Sequence, residues 1–366
     1  MIRTRPPFRA DHVGSLLRPH ALKAARRDHA AGLLDSAGLA AIEDREIERV
    51  IRRQEEIGLR AATDGELRRS WWHLDFLWGL DGVNPHVMES GVAFVGATSR
   101  NAGVRVDGKI GFSGHLMLAH YAFLQQHARL MPKLTLPAPS ALYGRPVLPP
   151  IDAAVYPDRD ELFADLGRAY RAAVGAFAAA GCRYLQLDEV FIAMLCDASY
   201  RQKMVARGDD PNELLERYAS LINEAVADIP DDMTVTLHLC RGNFKSTFMG
   251  SGGYEAVEDV LFNAVNVHGY FMEYDDERSG GFEPLRLLPK GKTVALGLVT
   301  TKRADLEATD EIRRRIDAAA RFADLDQLCL SGQCGFASTE EGNLLTEDEQ
   351  WAKLARIVEV AQAVWG

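Results

Sequence analysis

Cysteine is scarce and unpaired in this chain. Cys182, Cys196, Cys240, Cys329 and Cys334 are the only five in 366 residues. An odd, sparse set excludes a disulfide framework and points to a reducing, cytoplasmic setting. No apolar run reaches the length of a bilayer span, so no membrane segment is expected. The first residues, Met1-Ile-Arg-Thr-Arg-Pro-Pro-Phe8, lack the apolar centre and small-residue cleavage site of a secretory signal and read as an arm over 1–10. Positive charge is not in excess: 42 Lys and Arg stand against 52 Asp and Glu, a net charge of −10. That argues against a broad phosphate-binding face and against a nucleic-acid partner, while leaving room for a local basic pocket. A G-x-G-x-x-G after the first strand is also missing, which counts against an open, doubly wound dinucleotide-binding sheet. What remains is an ordinary globular composition, 47% hydrophobic and 26% charged, in a chain long enough for one large domain or two ordinary ones.

The patterning is regular from residue 133 onward. Short apolar strands are expected near residues 12, 61, 135, 186, 236, 270, 295 and 328, most of them separated by a helix. The helices are expected over about 38–58, 159–180, 211–228, 253–263 and 309–322, with a last one after the capping box Thr346-x-x-Glu349. Alternation of this kind predicts a parallel sheet, and eight units in one chain predict an α/β (β/α)₈ TIM barrel occupying 1–366 as a single unit. An open doubly wound sheet is the rival. A glycine-rich stretch with alternating residues near 90–130 reads as a β-ribbon insertion. Trp71, Trp72, Phe76 and Trp78, with His73 among them, form an aromatic patch. Such patches are more often core or lid packing than a substrate wall.

A barrel brings the C-terminal ends of its strands to one rim. Those ends carry Ser15, Glu66, Asp188 with Glu189, His238 with Cys240, Glu273, and Cys334. Each has an ordinary structural explanation: acidic residues after strands often cap the next helix, and Cys334 beside Gly335 fits a turn. Together they offer more. His238 and Cys240, two apart on one strand face, with Cys334 and Glu273, make a four-donor set of the type zinc takes. Glu273 is the natural weak ligand, exchangeable for an incoming thiol. Two cysteine sulfurs donate charge to the metal and leave that thiol nucleophilic, so the set suits S-alkylation better than water activation.

Thr236-Leu-His238-Leu-Cys240, Phe271-Met-Glu273-Tyr, Leu185-Gln-Leu-Asp188-Glu189, Gly14-Ser15, Thr63-Asp-Gly-Glu66 and Gln333-Cys334-Gly335 resemble the C-terminal catalytic barrel of cobalamin-independent methionine synthase, over about 11–360. The resemblance implies zinc held by His238, Cys240, Glu273 and Cys334. It also implies homocysteine as methyl acceptor, its ammonium held by Glu66 and Asp188 and its carboxylate by backbone near Ser15. Two departures stand out. The chain has no room for the second, N-terminal barrel of full-length members, so a single-barrel, core-type member is expected. The family's Asp-x-His after the strand equivalent to 293–297 reads Gly297-Leu-Val-Thr-Thr-Lys302 here, so Lys302 either replaces the catalytic histidine or nothing does. Both departures bear on the donor: methylcobalamin, a corrinoid protein partner, a simple folate and another small donor all stay open, as does a homo-oligomer.

Two other functions are compatible with the same donors. One is thiol attack on a non-methyl electrophile such as an epoxide, as in coenzyme M alkylating enzymes, where Glu66 and Asp188 would meet no ammonium. The other is a non-catalytic, zinc-stabilised binding barrel.

Overall fold

The computed structural model describes residues 3–366. Six parallel strands stand side by side in chain order: Leu134–Pro137, Tyr184–Glu189, Thr234–Leu239, Gly269–Glu273, Thr293–Val299 and Leu328–Gly332. Every residue of these strands is buried. Continuous burial, rather than alternation, is what a parallel strand shows when helices cover one face and a packed interior fills the other. Ala61–Ala62 pairs in parallel with Met131–Pro132, just before the Leu134 strand. Ala10 bridges Leu330 in parallel, with Asp11 N–H donating to the Leu330 carbonyl at 3.0 Å. Between these two short segments, Leu16 N–H donates to Gly65 O at 2.9 Å and Thr63 Oγ1 to Gly14 O at 2.7 Å. All eight expected segments therefore follow one another around a (β/α)₈ barrel.

The segment expected near residue 12 is reduced to that single bridge. Gly14 has φ +136°, and a Cβ there would lie 2.7 Å from Thr135 Cγ2. The chain turns at this glycine onto the rim, where only a residue without a side chain fits. The part of the expected N-terminal arm from Arg3 onward packs under the barrel: Phe8 is buried and sets its ring edge-on to Tyr184. Met1 and Ile2 lie outside the described residues.

The long helices lie near their expected bounds, at Ser36–Glu56, Arg159–Ala179, Pro211–Ala225, Thr309–Ala319 and Glu347–Trp365. Asp35, Asp158 and Asp210 each accept an N–H of the first turn, and Thr346 with Glu349 forms both halves of the capping box. The helix expected over 253–263 is instead a 3₁₀ turn, Tyr254–Ala256, and a π turn, Val260–Ala264. Its start is drawn inward: the Tyr254 hydroxyl accepts from Glu273 N–H and from Arg241 Nη1, each at 2.9 Å. The ribbon also differs from its expected range. Asp81–Val87 pairs antiparallel with Ala102–Gly111, enclosing the small hairpin Ala93–Phe94 and Ala97–Thr98. Residues Met117–His127 are a helix, built from Met, Leu, Ala and Gln, whose helical propensity outweighs the glycines upstream. Among the described residues no helix is long and apolar enough to cross a membrane.

Candidate metal centre and substrate cavity

Strand Thr234–Leu239 runs into Cys240, and the two-residue period of a strand sets His238 and Cys240 on one side. Cys334 comes from the turn after Leu328–Gly332. One donor atom from each of His238, Cys240 and Cys334 lies within 4.8 Å of the other two, and all three residues are buried. The two sulfurs are 3.6 Å apart, close to the roughly 3.8 Å kept by two thiolates bound about 2.3 Å from one tetrahedral zinc. His238 Nδ1 faces the Phe271 carbonyl at 3.3 Å. A carbonyl only accepts, so Nδ1 carries hydrogen toward it. Nε2 is buried and makes no hydrogen bond, the arrangement of an imidazole whose far nitrogen is reserved for a metal. The Cys240 thiol, hydrogen-bonded to Cys334, holds the Cys334 thiol well below its usual range, while the same bond and burial push Cys240 well above it. A divalent cation would displace the protons that these donors hold. The residues fit zinc.

Glu273, the fourth expected donor, ends strand Gly269–Glu273 and is fully buried, yet it stands outside the three-residue cluster. Its Oε2 lies 3.4 Å from Arg278 Nη1 and 3.8 Å from Arg241 Nη1, while Oε1 makes no hydrogen bond. Burial raises its carboxyl, and Lys302, Arg278 and Arg241 oppose the rise. Lys302 does not reach the cavity wall: its Nζ donates to Asp275 Oδ2 at 2.5 Å. Asp275 lies just beyond the Glu273 strand and draws the ammonium to that side of the rim.

A cavity of about 390 Å³ opens on the donors and is also lined by Ser15, Glu66 and Asp188. Asp188 pairs in register with His238 on the neighbouring strand. Its Oδ1 accepts from Gln186 Nε2 at 2.7 Å. Burial, then the Glu66 carboxylate, pushes Asp188 up to about 7. Glu66 Oε1 accepts from Thr135 Oγ1 at 2.8 Å. Its Oε2 makes no hydrogen bond, with the Arg69 guanidinium 3.5 Å away. Glu66 also holds φ +57°, a backbone state that costs a non-glycine residue about 1 kcal/mol or more and tends to mark functional sites. Two buried carboxyl groups beside the sulfur donors form a place for a cation. Ser15 is locked against the Cys334 turn: Phe336 N–H donates to Ser15 O at 2.9 Å, and a Cβ on Gly335 would fall 1.9 Å from Ser15 Oγ.

Glu189 has the capping role. Its Oε1 accepts from Phe191 and Ile192 N–H at 2.7 and 2.9 Å, and Ser140 donates to it. The aromatic patch divides. Trp71, Trp72 and His73 line the cavity with residues 88–94 of the ribbon. Phe76 is core, and Trp78 Nε1 donates to Gly103 O at 3.0 Å. Arg241, Arg278 and Arg145 escaped the sequence reading. Arg241 directly follows Cys240, which is a usable signal. Arg278 and Arg145 lie in loops with no motif around them.

The model of the family described as cobalamin-independent synthase, catalytic domain, matches residues 8–363. YxjH of Bacillus subtilis is 49% identical over 99% of this chain and 96% of its own. A Listeria monocytogenes crystal structure, described provisionally as a vitamin-B12 independent methionine synthase, superposes with a TM-score of 0.80 at 34% identity over 100% of both chains. A B12-independent methionine synthase from Shewanella sp. W3-18-1, in complex with selenomethionine, superposes at 0.73 with 19% identity over 96% of each chain, a likeness of fold. The match spans nearly the whole barrel and includes every strand end that carries a donor, so the chain belongs to the cobalamin-independent methionine synthase catalytic-domain family.

Proposed function

We propose that this chain transfers a methyl group to the thiol of homocysteine, giving methionine, at the cavity lined by His238, Cys240 and Cys334. The observation that carries the reading is the shared cavity: three metal-type donors and two buried carboxyl groups, Glu66 and Asp188, line one space. A thiol and an ammonium on one small molecule answer both features.

His238, Cys240 and Cys334 would hold zinc, with Glu273 as the exchangeable fourth ligand. Bound there, zinc supplies a site that favours the deprotonated form of an incoming sulfur. Glu66 and Asp188 hold the ammonium, since two carboxylates offset one buried cation. Backbone at Ser15 holds the carboxylate. Arg241 and Arg278 receive the Glu273 carboxylate when it is displaced, so its charge is never left alone in a dry site. Trp71, Trp72 and the ribbon wall the donor side and exclude water. Held in line, the sulfur forms its bond to the methyl carbon as the bond to the donor breaks, and that electron pair leaves with the donor. Alignment of this kind supplies much of such an acceleration. Lys302, bonded to Asp275, acts on the charge of Glu273 rather than on the donor.

The paired carboxyls favour an amino-acid thiol over the coenzyme M type of substrate. The test is turnover of zinc-loaded protein with homocysteine and, in turn, methylcobalamin and mono- and polyglutamyl methyltetrahydrofolate. Methionine from at least one donor is expected. No methionine from any, alongside alkylation of a thiol that lacks an amino group, would overturn the assignment.

A further inference from the structure

Arg145 follows the short 3₁₀ turn Pro139–Leu142, on the rim beyond strand Leu134–Pro137. It lines the cavity and is half-buried. Among the described residues it makes no ion pair. Its side chain bonds only to a histidine: Nη2 donates to His73 Nε2. A guanidinium partly withdrawn from water is ordinarily matched by a carboxylate. Here burial alone draws Arg145 down to about 10, with no neighbouring anion to oppose it. Glu89, the ribbon carboxylate lining the same cavity, does not pair with it.

The histidine sharpens the imbalance. Because Nε2 accepts from Arg145, the neutral ring must carry its proton on Nδ1. Burial and then Arg145 keep His73 well below its ordinary value, so the ring is neutral. His73 is 2% exposed, and its Nδ1 has no hydrogen-bond partner. Trp72 fixes the ring from one side, centroids 4.5 Å apart. A guanidinium without an anion and an N–H without an acceptor thus stand together in one wall. Lys203 lines the same cavity, exposed and with no ion pair among the described residues.

We infer that Arg145, with His73 behind it and Lys203 nearer solvent, forms an anion subsite that holds a carboxylate or phosphate group of the methyl donor. The inference rests on the proposed function, which already gives both charges of homocysteine to Glu66, Asp188 and Ser15. The remaining cationic groups of the cavity therefore serve the second substrate. A donor with an anionic arm and a body small enough for about 390 Å³ fits the space better than a free corrinoid ring.

The test is calorimetric titration of zinc-loaded wild type, Arg145→Met, Arg145→Lys and Lys203→Met. The probes are monoglutamyl methyltetrahydrofolate, a methylated tetrahydropterin lacking the glutamate, and inorganic phosphate. Arg145→Met should weaken the glutamyl probe or phosphate roughly tenfold or more and leave the uncharged pterin within about twofold. Arg145→Lys should recover part of the loss, and Lys203→Met should show a smaller one. A response to the glutamyl probe alone assigns a carboxylate; a response to phosphate alone assigns a phosphate. Equal losses for charged and uncharged probes, unchanged binding in Arg145→Met, or no anion binding by wild type would overturn the inference. Homocysteine is titrated in parallel. Its failure to bind wild type would sink the proposed function, whereas its loss only in Arg145→Met would place the amino-acid carboxylate there and overturn the subsite.

Discussion

Cys240 and Cys334, 94 residues apart in the chain, bring their sulfurs to 3.6 Å. The barrel explains the meeting, because one follows the strand Thr234–Leu239 and the other the strand Leu328–Gly332 at the same rim. Replacing Cys334 by serine leaves a weaker donor with His238 and Cys240. Disturbing a partner of a metal ligand commonly costs 10- to 100-fold in affinity, so loss of a ligand should cost on the order of 100-fold or more. Cys334→Ser is expected to retain little zinc by elemental analysis and to lose turnover. Its circular dichroism should match wild type, because six buried strands hold the barrel without the thiol.

Asp188 should set the preference for an amino-acid thiol. Asp188→Asn should weaken homocysteine by about 10- to 100-fold, the range of a charge-assisted hydrogen bond, and weaken 4-mercaptobutyrate, which lacks the ammonium, much less. Comparable losses for both thiols would remove Asp188 from that role.

The same residue predicts a pH dependence. Burial and Glu66 raise Asp188 to about 7, so the folded state holds its proton more tightly than the unfolded chain. Its contribution is therefore fully present below the ordinary aspartate value and is lost as pH rises through about 7. Without zinc or substrate, Asp188→Asn should gain stability relative to wild type between pH 5 and pH 8, measured by urea titration. In wild type the affinity for homocysteine, corrected by that for 4-mercaptobutyrate, should rise over about pH 6–8 as the carboxylate forms. Asp188→Asn should flatten that rise.

Gly335 allows Ser15 to sit against the Cys334 turn. A Cβ at 335 meets Ser15 Oγ at 1.9 Å, and the next contact, Ser15 Cβ, is at 3.1 Å. Gly335→Ala should lower both homocysteine affinity and zinc retention. Adding Ser15→Ala should restore part of each, since it removes the closest clash. Independent, additive losses in the double variant would show that the two positions are not coupled.

Lys302 gives a discriminating case. A general acid typically contributes about 10²- to 10⁴-fold. With its ammonium on Asp275, Lys302→Met should lose less than about tenfold in turnover, and the loss should come with weaker zinc retention. A loss in the general-acid range, with zinc unchanged and the alkaline limb of the pH profile displaced, would restore Lys302 as the acid.

Much of this molecule is legible in its sequence, for identifiable reasons. His238-x-Cys240 on a buried strand and Cys334 after another are readable because a barrel sends every strand end to one rim. Asp210 before Pro211 and the Thr346–Glu349 box mark the starts of the helices Pro211–Ala225 and Glu347–Trp365. The ribbon strand Ala102–Gly111 lies within the expected 90–130 range, where Val104-Arg105-Val106 alternates, whereas its partner Asp81–Val87 lies before it, because its Gly, Asn and Pro read locally as loop. Glu273 was placed among the donors, but pattern says nothing of Arg241 and Arg278, whose charges compete for it across the fold. The Arg145–His73 contact joins residues 72 apart in the chain, and no local motif announces such a pair.

The central claim is that Glu273 gives way to a guest sulfur at a site built by His238, Cys240 and Cys334. X-ray absorption at the zinc edge, with and without homocysteine, addresses it directly. The expected result is a shell of two sulfurs and two lighter atoms that becomes three sulfurs and one nitrogen when the thiol is added. An unchanged spectrum under saturating homocysteine would contradict the account.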